Sequence, residues 1–413
     1  MVAVEILRAI FIVYAAFWTC YVVLPPLLAI FRRSRNACAA RGAGDAVMPR
    51  IAVLIPAHNM EAVIAACLNS LWSCDYPKDR VRIFVIADHC TDQTAERAEA
   101  SGATVLHRNV GPAGKTYALG WAIDEFAHRR VDADLYVITD ATARVKPGFL
   151  AAFAARWLQG EDIAIGHSVL DSKNTRWFAQ CLGLALVHRT VQNRARECLG
   201  LSALIIGCGM AYSRQYIQQY GWRLALPTED AAGSHPTEDW RHGVRAVEHG
   251  LRAAFTEDAR VITPLRASLG AATQQGVRWE RGRIANASTH GLRALTLGFR
   301  RRDGRLIMAA LDAVQPPVAV LAAACLLLAV CSVLLPGSPL AFALGIAPFL
   351  LIGIYGLFVI AEGRREGIKA TTLLWAPLYV CWRTLAFTTA WVSARFKPPE
   401  RGQLNKHPGG PTR

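Results

Sequence analysis

Short apolar runs alternate with amphipathic stretches through the middle of the chain. Four of these runs read as buried strands, at 50–59, 81–87, 103–106 and 135–139. Helix-like stretches follow the first two runs, at 61–73 and after Asp92, where a Thr-Asp pair can cap the helix. Strands that are apolar throughout, rather than alternating, are typical of a sheet covered on both faces. The order strand, helix, strand, helix therefore predicts an open α/β sheet that binds ligands at the carboxyl ends of its strands.

A much longer apolar run opens the chain. It covers 6–31, carries one charge at Arg8, and is followed at once by several arginines, of which Arg32 is the first. Its length suits a bilayer core of about 30 Å, and the arginines after it favour a cytoplasmic C-terminal end. A cleaved signal peptide is the competing interpretation, but the run is too long for one and lacks a convincing Ala-x-Ala site.

The C-terminal part of the chain holds three further apolar runs. Those at 306–335 and 340–361 are each long enough to cross a bilayer, and a Pro-Pro pair should kink the first. The third, at 371–394, contains Arg383 and precedes a basic tail that a full span would carry outside, against the positive-inside rule. An interfacial or re-entrant segment is preferred there, with a full span as the alternative. The domains predicted are an anchor at 1–33, a cytoplasmic domain at 34–300, a membrane region at 301–394 and a basic, disordered tail at 395–413.

Composition agrees with a membrane protein. A hydrophobic content of 53% is high for a soluble enzyme. The formal charge of +15 is also found in nucleic-acid binders, but the basic residues cluster beside the apolar runs, as at Arg300 and Arg364. Anchoring to membrane lipids explains that distribution better, so no nucleic-acid partner is predicted. The eleven cysteines form no CxxC pair and no zinc-ligand spacing, which favours reduced thiols.

Polar side chains stand where the predicted strands end. Asp88 and Asp92 follow the second strand, and Asp140 follows the fourth. Lys115 comes after a glycine-containing turn and could reach a diphosphate as a point charge. Because parallel strands end at the same edge of a sheet, these side chains are expected to share that edge. Ordinary explanations also exist, since Asp92 could simply cap a helix and Lys115 could be a solvated lysine.

A second polar group lies further along the chain. Thr-Glu-Asp occurs at 228–230 and again at 237–239, but only the second copy is followed at once by a helix-like run and an apolar segment. The stretch 275–279 then reads Gln-Gly-Val-Arg-Trp. An amide, a guanidinium and an indole so close together can hold an anionic leaving group and stack on a sugar face. The same stretch could instead be an amphipathic helix at the membrane interface.

Seven motifs occur in order between about 50 and 285. They are Pro56-Ala-His-Asn59, Ala87-Asp-His-Cys-Thr-Asp92, Gly114-Lys115, the strand end at Asp140, Gly207-Cys-Gly-Met-Ala211, Thr237-Glu-Asp239 and Gln275-Gly-Val-Arg-Trp279. Together they resemble the membrane-bound family 2 glycosyltransferases of the cellulose, chitin and hyaluronan synthase-like group. The resemblance implies a GT-A-like fold, with a mixed, mostly parallel sheet flanked by helices and transmembrane α-helices at both ends.

The same resemblance implies an activity. The chain would be a multi-pass protein of the inner membrane whose cytoplasmic domain transfers a sugar, with inversion, from a nucleotide sugar to a polysaccharide or a lipid-linked acceptor. UDP is the expected nucleotide, and export or assembly proteins are candidate partners. Three or four membrane segments are few for a polymer channel in one chain, so a polymer and a lipid both stay open as acceptors.

The resemblance also assigns a role to each candidate residue. The donor would be bound by Asp88, Asp92, Lys115, Asp140, Gln275 and Arg278. The acceptor would be bound by Gly207, Gly209, Glu238 and Trp279, although the two glycines could equally form a tight turn in the core. Asp239 would be the general base, because only the second Thr-Glu-Asp has the order found in the family. Asp230 would lie on a mobile loop that could gate the site.

The end of the fourth strand departs from the family pattern. That strand usually ends Asp-x-Asp, and the second carboxylate helps to hold Mg²⁺ or Mn²⁺, whereas here Asp140 is followed by Ala141 and Thr142. In one outcome Asp140 binds the cation together with diphosphate oxygens and water. In a second, Lys115 and Arg278 replace the cation. In a third, the chain is a degenerate transferase that binds nucleotide or polymer as a subunit of a polysaccharide assembly system.

Overall fold

A computed structural model describes residues 2–36, 47–129, 131–171, 175–205, 207–222, 238–263, 268–335 and 338–396. The strands in this part of the chain are β1 (Ile51–Ala57), β2 (Val81–Asp88), β3 (Thr104–Arg108), β4 (Leu135–Ile138), β5 (Arg144–Val145), β6 (Ile163–Leu170), β7 (Met210–Ser213) and β8 (Ala253–Thr263). The helices of the sheet domain are α2 (Ile64–Trp72), α3 (Thr94–Ala100), α4 (Lys115–His128), α5 (Phe149–Leu158), α6 (Trp177–Leu199), α7 (Arg214–Tyr220), α8 (Glu238–Glu248) and α9 (Leu269–Asn286).

The remaining helices lie before and after that domain. They are α1 (Val2–Asn36), α10 (Leu292–Arg301), α11 (Gly304–Val314), α12 (Val318–Leu334), α13 (Pro339–Arg365) and α14 (Ala376–Phe396). A π-helical turn, Ala287–Gly291, joins α9 to α10, and a 3-10 helix, Ala370–Trp375, precedes α14.

The strands form one mixed sheet in the order β3-β2-β1-β4-β7-β6-β8-β5. The strands β3, β2, β1 and β4 pair in parallel, and they are the four strands that the apolar runs predict. Beyond them, β7 runs antiparallel to both β4 and β6, whereas β6 and β8 pair in parallel. This is the GT-A-like arrangement expected from the motifs, with the carboxyl ends of β1, β2 and β4 on one edge.

Helices cover both faces of the sheet. Successive residues of a strand point to opposite faces, so Val53 and Ile55 of β1 pack with α2 and α5, whereas Leu54 packs with α4 and α7. Each of these three side chains is fully buried. Because neither face of β1 meets water, its sequence is apolar throughout rather than alternating.

Two helices are long and apolar enough to cross a membrane, judged by length and composition within the described residues. They are α13 and the Val4–Ile30 part of α1. The pair α11 and α12 counts as a third span only if it is taken as one broken helix, since it is bent by 76°. The bend falls at the Pro316-Pro317 pair and confirms the predicted kink, because proline cannot continue the backbone hydrogen bonds of a helix.

The long helix α6 joins the sheet domain to the apolar helices. One side of α6 packs on β6, and the other contacts α1 and α13. Arg196 of α6 donates from Nη1 and Nη2 to the two carboxylate oxygens of Asp312 in α11, at 2.6 Å each. Tyr21 of α1 donates its hydroxyl to the same carboxylate at 2.6 Å. The two charged side chains are 4% exposed, so this paired charge fixes three helices against one another.

Candidate functional site

The carboxyl ends of β1 and β2 are tied together by their loops. Asn59 and His89, just past the two strands, have positive φ angles of 52° and 53°, which turn the chain sharply at that edge. The amide N–H of Thr91 donates to Asn59 Oδ1 at 2.9 Å, and His58 Nδ1 lies 2.8 Å from the carbonyl oxygen of Asp88. These bonds fix the loop backbones on which the first candidate carboxylates stand.

Asp88 lies at the end of β2 as an internal ion-pair partner. Its Oδ1 accepts a hydrogen bond from Arg108 at the end of β3 and lies 3.0 Å from His89 Nδ1. Its Oδ2 accepts from the amide of Gly114 at 2.8 Å. Because the residue is only 3% exposed, Asp88 fixes the turn that precedes Lys115. Its contact with a nucleotide stays a prediction.

Asp92 organises the start of α3. Its Oδ1 accepts from the amide and the hydroxyl of Thr94, at 3.1 and 2.5 Å, and its Oδ2 accepts from the amide of Glu61 at 3.1 Å. Burial raises the pKa of Asp92, but these hydrogen bonds outweigh burial and hold the pKa below its ordinary value. The geometry favours the capping interpretation, and a role in donor binding stays a prediction.

Three of the predicted motifs meet at Gly207. Lys115, the first residue of α4, donates from Nζ to Asp140 Oδ1 at 2.6 Å and also to the carbonyl oxygen of Gly207. The amide of Gly207 in turn donates to Asp239 Oδ2 at 2.5 Å. A Cβ at this position would lie 3.1 Å from that carboxylate oxygen, so glycine permits the close approach. The Gly-Lys, strand-end and Thr-Glu-Asp motifs are therefore assembled around the main chain of one residue, Gly207.

Asp239 lies in the first turn of α8 and is half-buried. Besides the bond from Gly207, it accepts a hydrogen bond at Oδ1 from the amide of Trp240 at 2.8 Å. Backbone donors at the start of a helix stabilise a carboxylate and hold it in one orientation. α8 begins at Glu238, whose side chain lies outside the described residues, as do Thr237 and Asp230.

Gly209 packs against side chains of the core rather than lying on an open surface. Its φ is +74°, and a Cβ there would lie 3.3 Å from Phe149 Cε2 and 3.4 Å from Val261 Cγ1. Glycine is therefore needed for both conformation and space, which supports the tight-turn interpretation of this position. An acceptor contact at Gly209 stays a prediction.

The Gln-Gly-Val-Arg-Trp motif lies in the middle of α9. Gln275 and Arg278 are half-buried, whereas Trp279 is 45% exposed. An indole with almost half of its surface exposed can stack on a ligand that arrives from outside the core. The contacts of the three side chains with a donor or an acceptor stay predictions.

Two charged residues near these motifs, Arg189 and Glu280, were missed by sequence reasoning, and a third, Arg383, was noted only as a charge inside an apolar run. Arg189 of α6 interacts electrostatically with Asp239. Burial lowers the pKa of Arg189 to about 10, and the negative charge of Asp239 opposes that shift. The guanidinium of Arg189 therefore stays charged at neutral pH. Glu280 and Arg383 form an ion pair beside the motif on α9, with 3.0 Å between Nη2 and Oε1. No motif marks Arg189 or Glu280, whereas Arg383 was visible as a charge inside an apolar run.

The chain also matches the sequence pattern of a known family. The model described as "Glycosyltransferase like family 2" matches residues 49–282, which is more than half of the chain. The chain belongs to this family. It is therefore a glycosyltransferase, and the matched range contains every motif that meets at Gly207.

Two curated relatives carry the name beta-monoglucosyldiacylglycerol synthase. The one from Synechocystis sp. is 33% identical over 110 residues, which is 24% of this chain and 23% of the relative. The one from Nostoc sp. is 26% identical over 193 residues, 44% of this chain and 40% of the relative. The chain thus matches less than half the length of either relative.

A solved structure shares the fold of this glycosyltransferase over nearly its whole length. It is the mannosyltransferase PcManGT from Pyrobaculum calidifontis in complex with GDP-Man and Mn²⁺, with a TM-score of 0.53 at 16% identity. The similarity covers 94% of this chain and 99% of that chain, so it extends to the apolar helices.

The end of β4 offers few ligands for a divalent cation. Within the described part of the chain, no group of three or more His, Cys, Asp and Glu side chains is arranged to hold a metal ion. Asp140 supplies one carboxylate, 41% exposed and already paired with Lys115, while Thr142 is exposed and neutral. A divalent cation prefers several hard oxygen ligands, so here it would depend on oxygens of the substrate and of water.

Proposed function

We propose that this glycosyltransferase transfers a sugar, with inversion, from a nucleotide sugar to the hydroxyl of a lipid acceptor at the cytoplasmic face of the inner membrane. The observation that carries the proposal is the assembly at Gly207, whose carbonyl accepts from Lys115, the partner of Asp140, and whose amide donates to Asp239. Gly207 thereby separates a lysine that would bind the diphosphate from a candidate base. A nucleotide sugar lying across it would direct its diphosphate to Lys115 and its anomeric carbon towards Asp239.

The reaction is a single displacement. Asp239 takes the proton of the acceptor hydroxyl, and that oxygen forms a bond to the anomeric carbon as the bond from carbon to diphosphate oxygen breaks. The nucleoside diphosphate leaves with the bonding electrons, and Lys115 with Arg278 and Gln275 would stabilise the charge that develops on it. A base contributes about 10² to 10⁴ in rate, so positioning of donor and acceptor has to supply much of the rest.

A divalent cation, Mg²⁺ or Mn²⁺, would bind at Asp140 and neutralise part of the diphosphate charge. The mannosyltransferase of similar fold was solved with Mn²⁺, which supports use of a metal. Because Thr142 brings no charge, Lys115 would neutralise a larger share of the diphosphate charge than the equivalent lysine would in a family member whose strand ends Asp-x-Asp. We therefore expect chelation to slow transfer without abolishing it.

A lipid is favoured over a growing polymer for two reasons. The two relatives from Synechocystis and Nostoc are named for a product that contains diacylglycerol. The described residues also offer two membrane helices, or three with the bent pair, which is few for a polymer channel in one chain. The apolar helices would seat the domain on the bilayer, where a lipid hydroxyl can reach Trp279 and Asp239. UDP is the expected nucleotide, and a processive cell-envelope polysaccharide synthase is the second candidate.

The test is release of nucleoside diphosphate by the purified chain in nanodiscs. A panel of UDP- and GDP-sugars is supplied with diacylglycerol, polyprenyl phosphate or no acceptor, and with Mn²⁺ or EDTA. The proposal expects release that needs one sugar nucleotide and rises with diacylglycerol, together with a product of one added sugar by mass spectrometry. Long glycan products would instead support the polymer synthase. Nucleotide binding without release from any donor would refute the proposal and leave the degenerate, binding subunit.

A further inference from the structure

The C-terminal helix α14 packs along α9, the helix that carries the Gln-Gly-Val-Arg-Trp motif. Trp382 Nε1 donates to Thr273 Oγ1 at 2.8 Å, and Arg383 Nη2 donates to Glu280 Oε1 at 3.0 Å. Between those two contacts, a Cβ on Gly276 would lie 2.7 Å from Arg383 Nη1. Positions three and four apart lie on one face of a helix, so these contacts follow one stripe of α9. The glycine of the motif therefore makes room for an arginine of the last helix.

Glu280 connects this contact to the membrane region on its other side. The residue is 7% exposed, and its Oε2 accepts from Arg283 Nε at 2.9 Å. Arg283 also donates from Nη1 to the carbonyl oxygens of Ala313 and Gln315, at the bend between α11 and α12. Glu280 is therefore a buried carboxylate held between two arginines, and a buried charge is stable only while its partners remain.

Gln275 and Trp279 leave α9 from a face next to the stripe that contacts α14, and Arg278 leaves from the opposite face. At about 100° per residue, Gln275 and Trp279 point roughly a third of a turn away from the stripe formed by Thr273, Gly276 and Glu280. Contacts on that stripe can therefore set the rotation of α9 about its axis without touching a substrate. A rotation that moves the indole by about 1 Å is enough to disturb catalysis substantially.

We propose that Arg383 is a positioning residue of the transferase, acting through Glu280 to set the direction in which Gln275, Arg278 and Trp279 point. This inference rests on the proposed function, because it assigns those three side chains to substrate. A positioning role explains why the charged Arg383 lies within the otherwise apolar segment 371–394. Leu378 and Leu385 of the same helix are 48% and 69% exposed, so α14 offers lipid an apolar face while Arg383 reaches Glu280.

The experiment compares Arg383→Met, Arg383→Lys and Glu280→Gln with the wild-type chain in nanodiscs. Arg129→Met is the matched control, since Arg129 is 56% exposed and pairs with Glu125, one turn away on α4. Two quantities are measured for each variant, namely the kinetics for acceptor and donor, and hydrogen exchange of the amides of α9. Exchange does not require activity, so it reports on the helix even if no donor is turned over.

We expect Arg383→Met and Glu280→Gln to lower kcat/KM for both donor and acceptor about 10- to 100-fold, because α9 carries Gln275 and Arg278 as well as Trp279. Amide exchange in α9 should become faster in both variants, and Arg383→Lys should recover part of both losses. Arg129→Met should match wild type throughout. Unchanged kcat/KM in Arg383→Met would overturn the proposal, as would a loss of the same size in Arg129→Met. If wild type turns over no donor, the proposed function fails, whereas unaltered exchange in the variants refutes the positioning contact itself.

Discussion

The proposed donor end and the proposed acceptor end of the site are built from contacts of very different range along the chain. At the donor end, Asp88 contacts Arg108 and Gly114, which are 20 and 26 residues away, and Lys115 reaches Asp140 across 25 residues. At the acceptor end, α9 is held by residues of α14 that lie 103 and 109 residues further on. The donor end therefore depends on adjacent units of one sheet, whereas the acceptor end depends on α14, in the predicted membrane region.

This difference separates two kinds of damage. A change at the donor end should affect charge at the diphosphate and leave α9 in place. A change in α14 can move α9, and with it Gln275, Arg278 and Trp279, without altering Lys115 or Asp140. Because α9 carries Gln275 and Arg278 as well as Trp279, a change in α14 should affect donor and acceptor kinetics together, whereas a change at Lys115 or Asp140 should leave the acceptor KM unchanged.

The largest loss of activity that tests this comparison is expected at the donor end, in a variant of Lys115. Lys115→Met keeps the length of the side chain but removes the charge that pairs with Asp140 at 2.6 Å. We expect kcat to fall about 10²- to 10³-fold, because a positioned charge beside a leaving group acts mainly in the transition state. Release of nucleoside diphosphate measures the loss. Lys78→Met is the control, since Lys78 Nζ binds the carbonyl of Cys74 away from the site, and equal losses in the two variants would contradict the role of Lys115.

A smaller effect is expected at the acceptor end. Trp279→Ala removes an indole that is 45% exposed, so little core packing is lost. If the indole stacks on the acceptor, the acceptor KM should rise about tenfold while the donor KM stays the same. Trp279→Phe should retain part of the affinity, because a phenyl ring also offers a stacking face. A larger change in the donor KM than in the acceptor KM would assign Trp279 to the donor end.

The fold of the donor half could be predicted because its signals are local. Continuous apolar strands, each followed by a polar turn, identify β1 to β4, and their parallel order brings Asp88 and Asp140 to one edge. The strands β6 and β7 carried no such signal, since the motif at Gly207 read as a glycine turn rather than as the approach to a strand. The ion pair of Glu280 with Arg383 could not be predicted, because nothing in either segment specifies a partner a hundred residues away.

Asp92 shows how a sequence pattern can fit two roles. Capping and donor binding were both consistent with its place after β2, and the hydrogen bonds from Thr94 and Glu61 favour capping. Asp140 shows the opposite case, since the departure at Thr142 was visible in the sequence but its consequence was not. The pairing of Asp140 with Lys115 became evident only when the two motifs were brought together in space.

The smallest effect concerns Asp92 and the stability of the fold. Its pKa is depressed in the folded chain, so Asp92 stabilises the fold above its unfolded pKa of about 4 and loses that contribution as the pH falls through the lower folded value. We expect Asp92→Asn to lower Tm by about 2 °C at pH 7. The difference from wild type should shrink at pH 3. A difference that is independent of pH would contradict the assignment to the ionised carboxylate, and a large rise in donor KM would restore Asp92 to the donor site.

The central claim is that Asp239 takes the proton from the acceptor beside a diphosphate held by Lys115. The most direct measurement is sugar transfer and nucleotide release by Asp239→Asn in nanodiscs, with the donor and acceptor that the wild type uses. Asparagine keeps the size of the side chain and can still accept from the amide of Gly207, so the donor KM should change little. The account predicts a fall in kcat of about 10²- to 10⁴-fold that raising the pH does not restore. Transfer at the wild-type rate by Asp239→Asn would contradict it.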